Sequence, residues 1–307
     1  MMSVTLLSGN NIGAPSRGRI MFNREKFIDA AVKGLRDGVI ELPPDVAERI
    51  RTAYGNETSE TARMQLRAIL DNIELAHDEG LPLCQDTGVQ IFFVKAGYDF
   101  PHLSDVVRAI PEAIVRATAE VPLRPNTVDP FTGVNPKNNL GHNMPAVNVE
   151  LVEGDGATVT VFPKGGGSEN MSALWMLTPA EGFDGMKKKI LEHVQWAAGK
   201  PCTPIVLGIG IGGGADIALK LGKKALLRPL GTENPVAEIA AMERELLEDV
   251  NAIGVGPMGL GGSTTALAVH IEHTVRHPAT FPVGLVIQCW CDRRAVVHLD
   301  VNGEVVE

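Results

Sequence analysis

Residues 204–216 read Pro204-Ile-Val-Leu-Gly208-Ile-Gly210-Ile-Gly-Gly213-Gly-Ala215-Asp216, an apolar run threaded with glycines and followed by a helical pattern from Ala215. Gly208, Gly210 and Gly213 fit GxGxxG, and on a strand-to-helix turn that fingerprint suggests a dinucleotide fold. The setting argues for something else. The run lies deep in the chain, and no clean second strand with an acid at its tip follows. The next acid, Glu233, falls in the turn-like stretch Gly231-Thr-Glu-Asn-Pro235. We therefore read a tight turn between an apolar strand, Pro204–Ile211, and a helix. A nucleotide-binding oxidoreductase is kept as the alternative outside that reading.

Working outward, the flanking pattern is mixed. N-terminal to it lie three helical segments. Asn23 can cap a segment with Phe27, Ile28, Ala31, Val32 and Leu35 at helical spacing, ending near Gly38. Pro44 opens a second with Val46 and Ile50, and a third runs from about Thr58 to Ala76. Val89–Val94 reads as a strand and Val106–Ala119 as a helix. Val147–Val152 and Thr158–Phe162, joined by Glu153-Gly154-Asp155-Gly156, read as a hairpin. Helices are expected at Phe183–Ala198 and Val236–Val250, and strands at Pro282–Cys291 and Ala295–Val301. Asn302-Gly303 then turns into Val305. The expected fold is mixed α/β (α+β): a helical N-terminal subdomain, about 23–80, packed on a mixed-sheet α/β body, about 81–307. Residues 1–22 are expected to be a disordered extension or to precede a functional start at Met21; their arginines and lack of acids only faintly suggest a transit peptide.

Composition limits the function. The 307 residues are 44% hydrophobic and 21% charged, which suits a globular chain, and the net charge of −9 argues against nucleic acid as partner. No run approaches the ~20 apolar residues of a membrane helix. Four cysteines are too few for a disulfide scaffold, so a reducing cytoplasm is the expected compartment. Two glycine runs, Lys164-Gly165-Gly166-Gly167-Ser168 and Gly256–Thr264, can present several N–H groups to an anion such as a carboxylate.

The cysteines are far apart in sequence, yet each stands at the end of an element. Cys84 lies in Pro82-Leu-Cys-Gln-Asp-Thr-Gly88 and Cys202 in Pro201-Cys-Thr-Pro204. Cys289 and Cys291 precede Asp292-Arg293-Arg294. Such places suit ligands better than core filler. Taken with Asn139-Leu-Gly-His142-Asn143-Met-Pro145, Lys164-Gly-Gly-Gly-Ser168, Arg276-His277-Pro278 and Pro282-Val-Gly284, these segments resemble the class I, iron–sulfur fumarate hydratase and L-tartrate dehydratase family. The match is to its α subunit, or the N-terminal half of the fused enzymes.

The resemblance implies a [4Fe–4S] cluster held by Cys84, Cys202 and Cys289, with one iron open to substrate. On a strand Cys291 would face the same side as Cys289, and the register against Asp292-Arg293 favours Cys289. The resemblance further implies that Asp86 protonates departing hydroxide and that His277 belongs to the site. It implies that Gln85, Arg124, Gly166 and Gly167 contact a small dicarboxylate; His142 and Asn143 are further candidates. The fused enzymes continue into a second domain, whereas this sequence ends at Glu307, so a separate β subunit is expected in a heterodimer or heterotetramer. Reversible hydration of fumarate to L-malate is the expected reaction, with L-tartrate dehydration as the alternative. Lys164–Asn170 resembles the fumarate form, and Cys289-Trp290 followed by paired arginines resembles the tartrate form. A non-catalytic iron–sulfur subunit is the reading outside catalysis.

Overall fold

The computed structural model describes residues 21–306; the expected N-terminal extension lies almost wholly outside the described residues. Eight helices and nine strands are described: α1 Arg24–Ile40, α2 Pro44–Asn56, α3 Glu60–Glu79, β1 Val89–Gly97, α4 Leu103–Glu120, β2 Ala146–Val152, β3 Ala157–Lys164, α5 Gly166–Glu169, β4 Ala173–Leu177, α6 Gly182–Ala197, β5 Ile205–Gly213, α7 Ala215–Ala225, α8 Ala237–Ala252, β6 Ala266–Arg276, β7 Phe281–Gln288, β8 Ala295–Leu299 and β9 Val305–Val306. The fold is mixed α/β, as the sequence pattern implies.

Local chemistry sets the helix ends. The Asn23 side chain accepts the Lys26 N–H at 3.2 Å, Pro44 occupies the first turn of α2, and α3 stops at Gly80 in the left-handed region (φ 63). The strands form two sheets, β2-β1-β3-β8-β9 and β4-β7-β5-β6. Helices α1 and α4 cover the first sheet, where Phe27, Leu35, Ile110 and Ile114 meet Phe92, Val159 and Val161. Helices α6 and α8 cover one face of the second sheet through Met186, Ile190, Leu246 and Val250. A third core joins the sheets: Val46 and Ile50 of α2 and Leu66 of α3 pack with Phe162, Val206, Val286 and Trp290.

The glycines of the 208–213 run turn out to serve packing. A Cβ on Gly208 would lie 2.1 Å from the Gly222 carbonyl oxygen, and one on Gly210 only 1.9 Å from that of Ala218. Helix α7 thus sits directly on β5, and Gly212 and Gly213 turn the chain with φ 97 and 65. This is the tight strand-to-helix turn.

Two expectations are corrected. The segments 147–152 and 158–162 are strands but not a hairpin. β2 runs parallel to β1 from Ile91↔Ala146 to Gly97↔Val152, and β3 runs antiparallel on β1's other side, so β1 lies between them. The turn at 153–156 must therefore cross two strand spacings, about 10 Å. It does so by riding over the end of β1, where a Cβ on Gly97 would meet the Gly154 carbonyl oxygen at 2.1 Å. Second, β7 ends at Gln288, so Cys289 and Cys291 stand in the loop beyond it and share no strand face.

Candidate active site

Strand pairing gathers distant loops at one end of both sheets. In the first sheet Val89 pairs with Lys164 and Val161 with Ala295, which places the 84–88, 165–169 and 289–294 loops side by side. In the second, Val206 pairs with Gln288, bringing Cys202 beside Cys289. The Trp290 N–H donates to the Cys202 carbonyl at 3.3 Å. Loop 289–294 leaves the second sheet and enters the first, so the cysteines meet where the sheets meet.

Asp86 stands at the centre of the polar contacts. Its Oδ2 accepts the Gly166 N–H at 2.8 Å, and its Oδ1 accepts the Gly88 N–H at 3.0 Å and the Asn126 side-chain amide at 3.4 Å. Gln85 and Arg124 are adjacent and exposed, with the Arg124 Nη1 donating to the Gln85 carbonyl at 3.3 Å. Gly166 and Gly167 are exposed at the first turn of α5. Both glycine runs do grip carboxylates, but of this chain: Gly166 takes Asp86, and Ser263 of the second run takes Glu57 at 2.8 Å.

The other predicted residues divide. His142 and Asn143 are exposed just before β2, at the same end of the first sheet as the 84–88 loop. His277 is exposed in the β6–β7 turn, where its Nδ1 accepts the Ala279 N–H. The eight residues of β7 separate it from Gln288, about 25 Å at the rise of a strand. Within one chain, His277 does not meet the cysteines.

The three ligand candidates differ in access. Cys202 is exposed and held in the left-handed region (φ 57), while Cys84 and Cys289 are half-buried. Burial pushes the Cys202 thiol up, helped by Cys84 and Asp86; burial also pushes Cys289 up, against the pull of Arg293 and Lys164. Cys291 is 1% exposed in the core joining the sheets, and burial raises its pKa strongly. It packs as a small hydrophobe.

Sequence reasoning missed the groups behind these loops. Lys164 is buried, its Nζ donating to the Ser168 hydroxyl at 2.6 Å and facing Glu169 at 3.3 Å. Burial depresses its pKa against the opposing pull of Glu169 and Cys289. The Ser168 hydroxyl reaches Gln288 Oε1 at 3.3 Å. Arg293 is buried too, and Asn126 ties the 84–88 loop to Asn139. In sequence Arg293 served to set a register and, with Arg294, as a mark of the tartrate form; its burial behind the cysteines was not read.

Among the described residues, no three His, Cys, Asp or Glu side chains converge on a single metal ion. A cubane cluster asks for something different, since each cysteine binds its own corner and the sulfurs stay further apart. The donor set suits it: three soft thiols at one sheet end, with a buried guanidinium whose Nε and Nη1 have no partner. Buried, unpaired donors of that charge fit an anionic group beside them.

Comparison with known proteins gives the family. A family model described as "Fumarate hydratase (Fumerase)" matches residues 28–298. The "Putative L(+)-tartrate dehydratase subunit alpha" of Methanocaldococcus jannaschii is 48% identical over 284 residues, covering 91% of this chain and all of the relative. The "L(+)-tartrate dehydratase subunit alpha" of Escherichia coli K12 is 36% identical, covering 86% of this chain and 88% of the relative. The protein of the same name from Shigella sonnei matches equally well.

Proposed function

Because the chain belongs to the fumarate hydratase (Fumerase) family of hydro-lyases, we propose that it is the α subunit of an iron–sulfur L(+)-tartrate dehydratase, removing water from tartrate to give oxaloacetate. The names of its relatives favour tartrate over fumarate, the reverse of the preference drawn from the sequence. Cys289-Trp290 with Arg293-Arg294 had pointed the same way. The observation carrying the reading is the convergence of Cys84, Cys202 and Cys289 beside Asp86 at one end of two sheets.

Cys84, Cys202 and Cys289 would hold a [4Fe–4S] cluster, which when bound supplies a Lewis-acidic iron for the leaving hydroxyl. The chain's own groups do the rest. Arg124 is exposed beside Gln85 and suits a two-pronged grip on a carboxylate. At the start of α5 the Gly166 N–H holds Asp86, which leaves the N–H of exposed Gly167 for the substrate. Asp86, oriented by two backbone N–H groups beside the cysteines, is the side chain we assign to proton transfer with the leaving hydroxyl. No role falls to His277 at this site within one chain.

We assign the base for the C–H proton to a separate β subunit, a reading supported by the name "subunit alpha" of this chain's relatives. Supporting that reading, Val128, Phe131 and Val134 are 56%, 95% and 62% exposed on the segment after Arg124 and Asn126, an apolar face beside the open site. Reducing conditions suit four free cysteines, and the cytoplasm is the proposed location. The test is anaerobic purification with cluster, then assay of L-tartrate dehydration and fumarate hydration, alone and mixed with the candidate β subunit. Tartrate turnover only on mixing is expected. Faster fumarate turnover would return the substrate to fumarate, and full activity of the lone chain would refute the two-subunit reading.

A further inference from the structure

Arg293 is 1% exposed, the largest of the fully buried side chains. Its Nη2 donates to the Asp86 carbonyl at 2.9 Å, while its Nε and Nη1 have no hydrogen-bond partner among the described residues. Among those residues no carboxylate pairs with it: neighbouring Asp292 faces Arg294 at 3.3 Å, and Arg294 also binds Asp45. A fixed cation held this deep with two donors unmade is costly unless an anion meets them. Burial opposes its charge, and Cys291, Cys289, Cys84 and Asp86 are the near groups that favour it. A Cβ on Gly165 would lie 3.9 Å from Nη2, so the guanidinium is wedged between the 84–88 loop and the glycine turn.

We propose that Arg293 is a positioning residue for the cluster, its buried guanidinium set behind the cysteines that would hold the group while Nη2 ties the Asp86 loop in place. This rests on the cluster reading above. A buried cation beside a cluster raises its reduction potential, and partners behind the ligands slow loss of the metal. Lysine could keep the charge but not the planar fork.

The chain and its Arg293→Met and Arg293→Lys variants are reconstituted anaerobically with iron and sulfide. Iron per chain, the midpoint potential from a titration followed by electron paramagnetic resonance, and the rate of iron release to a chelator are then measured. Arg293→Met is expected to shift the potential to more negative values and to speed release about tenfold or more; Arg293→Lys should fall between. An Arg293→Met protein with unchanged potential and release rate would overturn the proposal. If Arg293→Met lacks a cooperative thermal transition, Arg293→Lys decides: faster release supports the fork, and an unchanged rate overturns it. Failure of the unaltered chain to take up a cluster would instead strike the cluster reading, and this inference with it.

Discussion

Glu57 is a buried carboxylate that joins two parts of the chain, and removing it should be expensive. It is 2% exposed. Its Oε1 accepts the Thr58 and Ser59 N–H groups at 2.9 and 3.0 Å, and its Oε2 accepts the Ser263 N–H at 2.8 Å and the Ser263 hydroxyl at 2.9 Å. The first pair holds the start of α3; the second holds the glycine run that buttresses Cys202. That run meets Thr203, whose hydroxyl donates to the Gly256 carbonyl at 2.6 Å and accepts the Gly259 N–H at 3.1 Å. A hydrogen bond to a charged group contributes about 1.5–3 kcal/mol, and the four are not additive. Glu57→Ala should therefore cost about 3–4 kcal/mol. Glu57→Gln keeps one acceptor oxygen for one pair and turns an amide donor toward the other, at about 1–2 kcal/mol. Thermal unfolding followed by circular dichroism at pH 7 would read these as Tm losses of roughly 6–16 °C and 2–8 °C. Burial pushes the Glu57 pKa up, but the N–H groups of Ser59, Ser263 and Thr58 and the Ser263 hydroxyl outweigh it and hold it below its ordinary value of 4.5. The contribution is thus complete above that value and is lost as pH falls through the lower, folded one. The gap between the unaltered chain and Glu57→Gln should close below pH 4.5. A Glu57→Ala loss under 1 kcal/mol, or a gap that ignores acid, would refute the reasoning.

Four other outcomes follow from contacts elsewhere in the fold. Gly210→Ala puts a Cβ 1.9 Å from the Ala218 carbonyl oxygen and should lower Tm by the equivalent of about 3 kcal/mol or prevent folding. Gly55→Ala, with nothing within 4 Å in α2, should raise stability by up to ~1 kcal/mol. Cys289→Ser should abolish iron uptake, whereas Cys291→Ser, altering a core position, should keep the cluster and cost about 1–3 kcal/mol; iron analysis after reconstitution separates them. Burial and the nearby Arg228 depress the His270 pKa to about 3, so the unfolded chain takes a proton from pH 6.5 downward that the folded chain refuses. Stability should fall as pH drops below 6.5, and His270→Gln should remove one proton's worth of that slope in urea titrations between pH 6.5 and 4.5.

The sequence alone determined what short-range chemistry decides. Asn23, Pro44 and the apolar spacing of α1 to α3 placed those helices within a few residues, because caps and helical periodicity act over one or two turns. The 208–213 run was legible as a turn, and the glycine loops were legible as carboxylate grips. The cysteine-bearing segments were also recognisable one by one. Only the tertiary structure decided which carboxylates those loops hold, since Glu57 and Ser263 are 206 positions apart. It put β1 between two segments that read as a hairpin, because strand order follows from which segments pair along the two edges of β1, and a turn sequence cannot report that. It carried His277 to the far end of β7 and buried Arg293 among the cysteines. Burial is a property of neighbours that arrive from elsewhere in the chain, so an arginine that in sequence only follows a pair of cysteines becomes, once both sheets close on it, a cation whose unmade hydrogen bonds call for an anion.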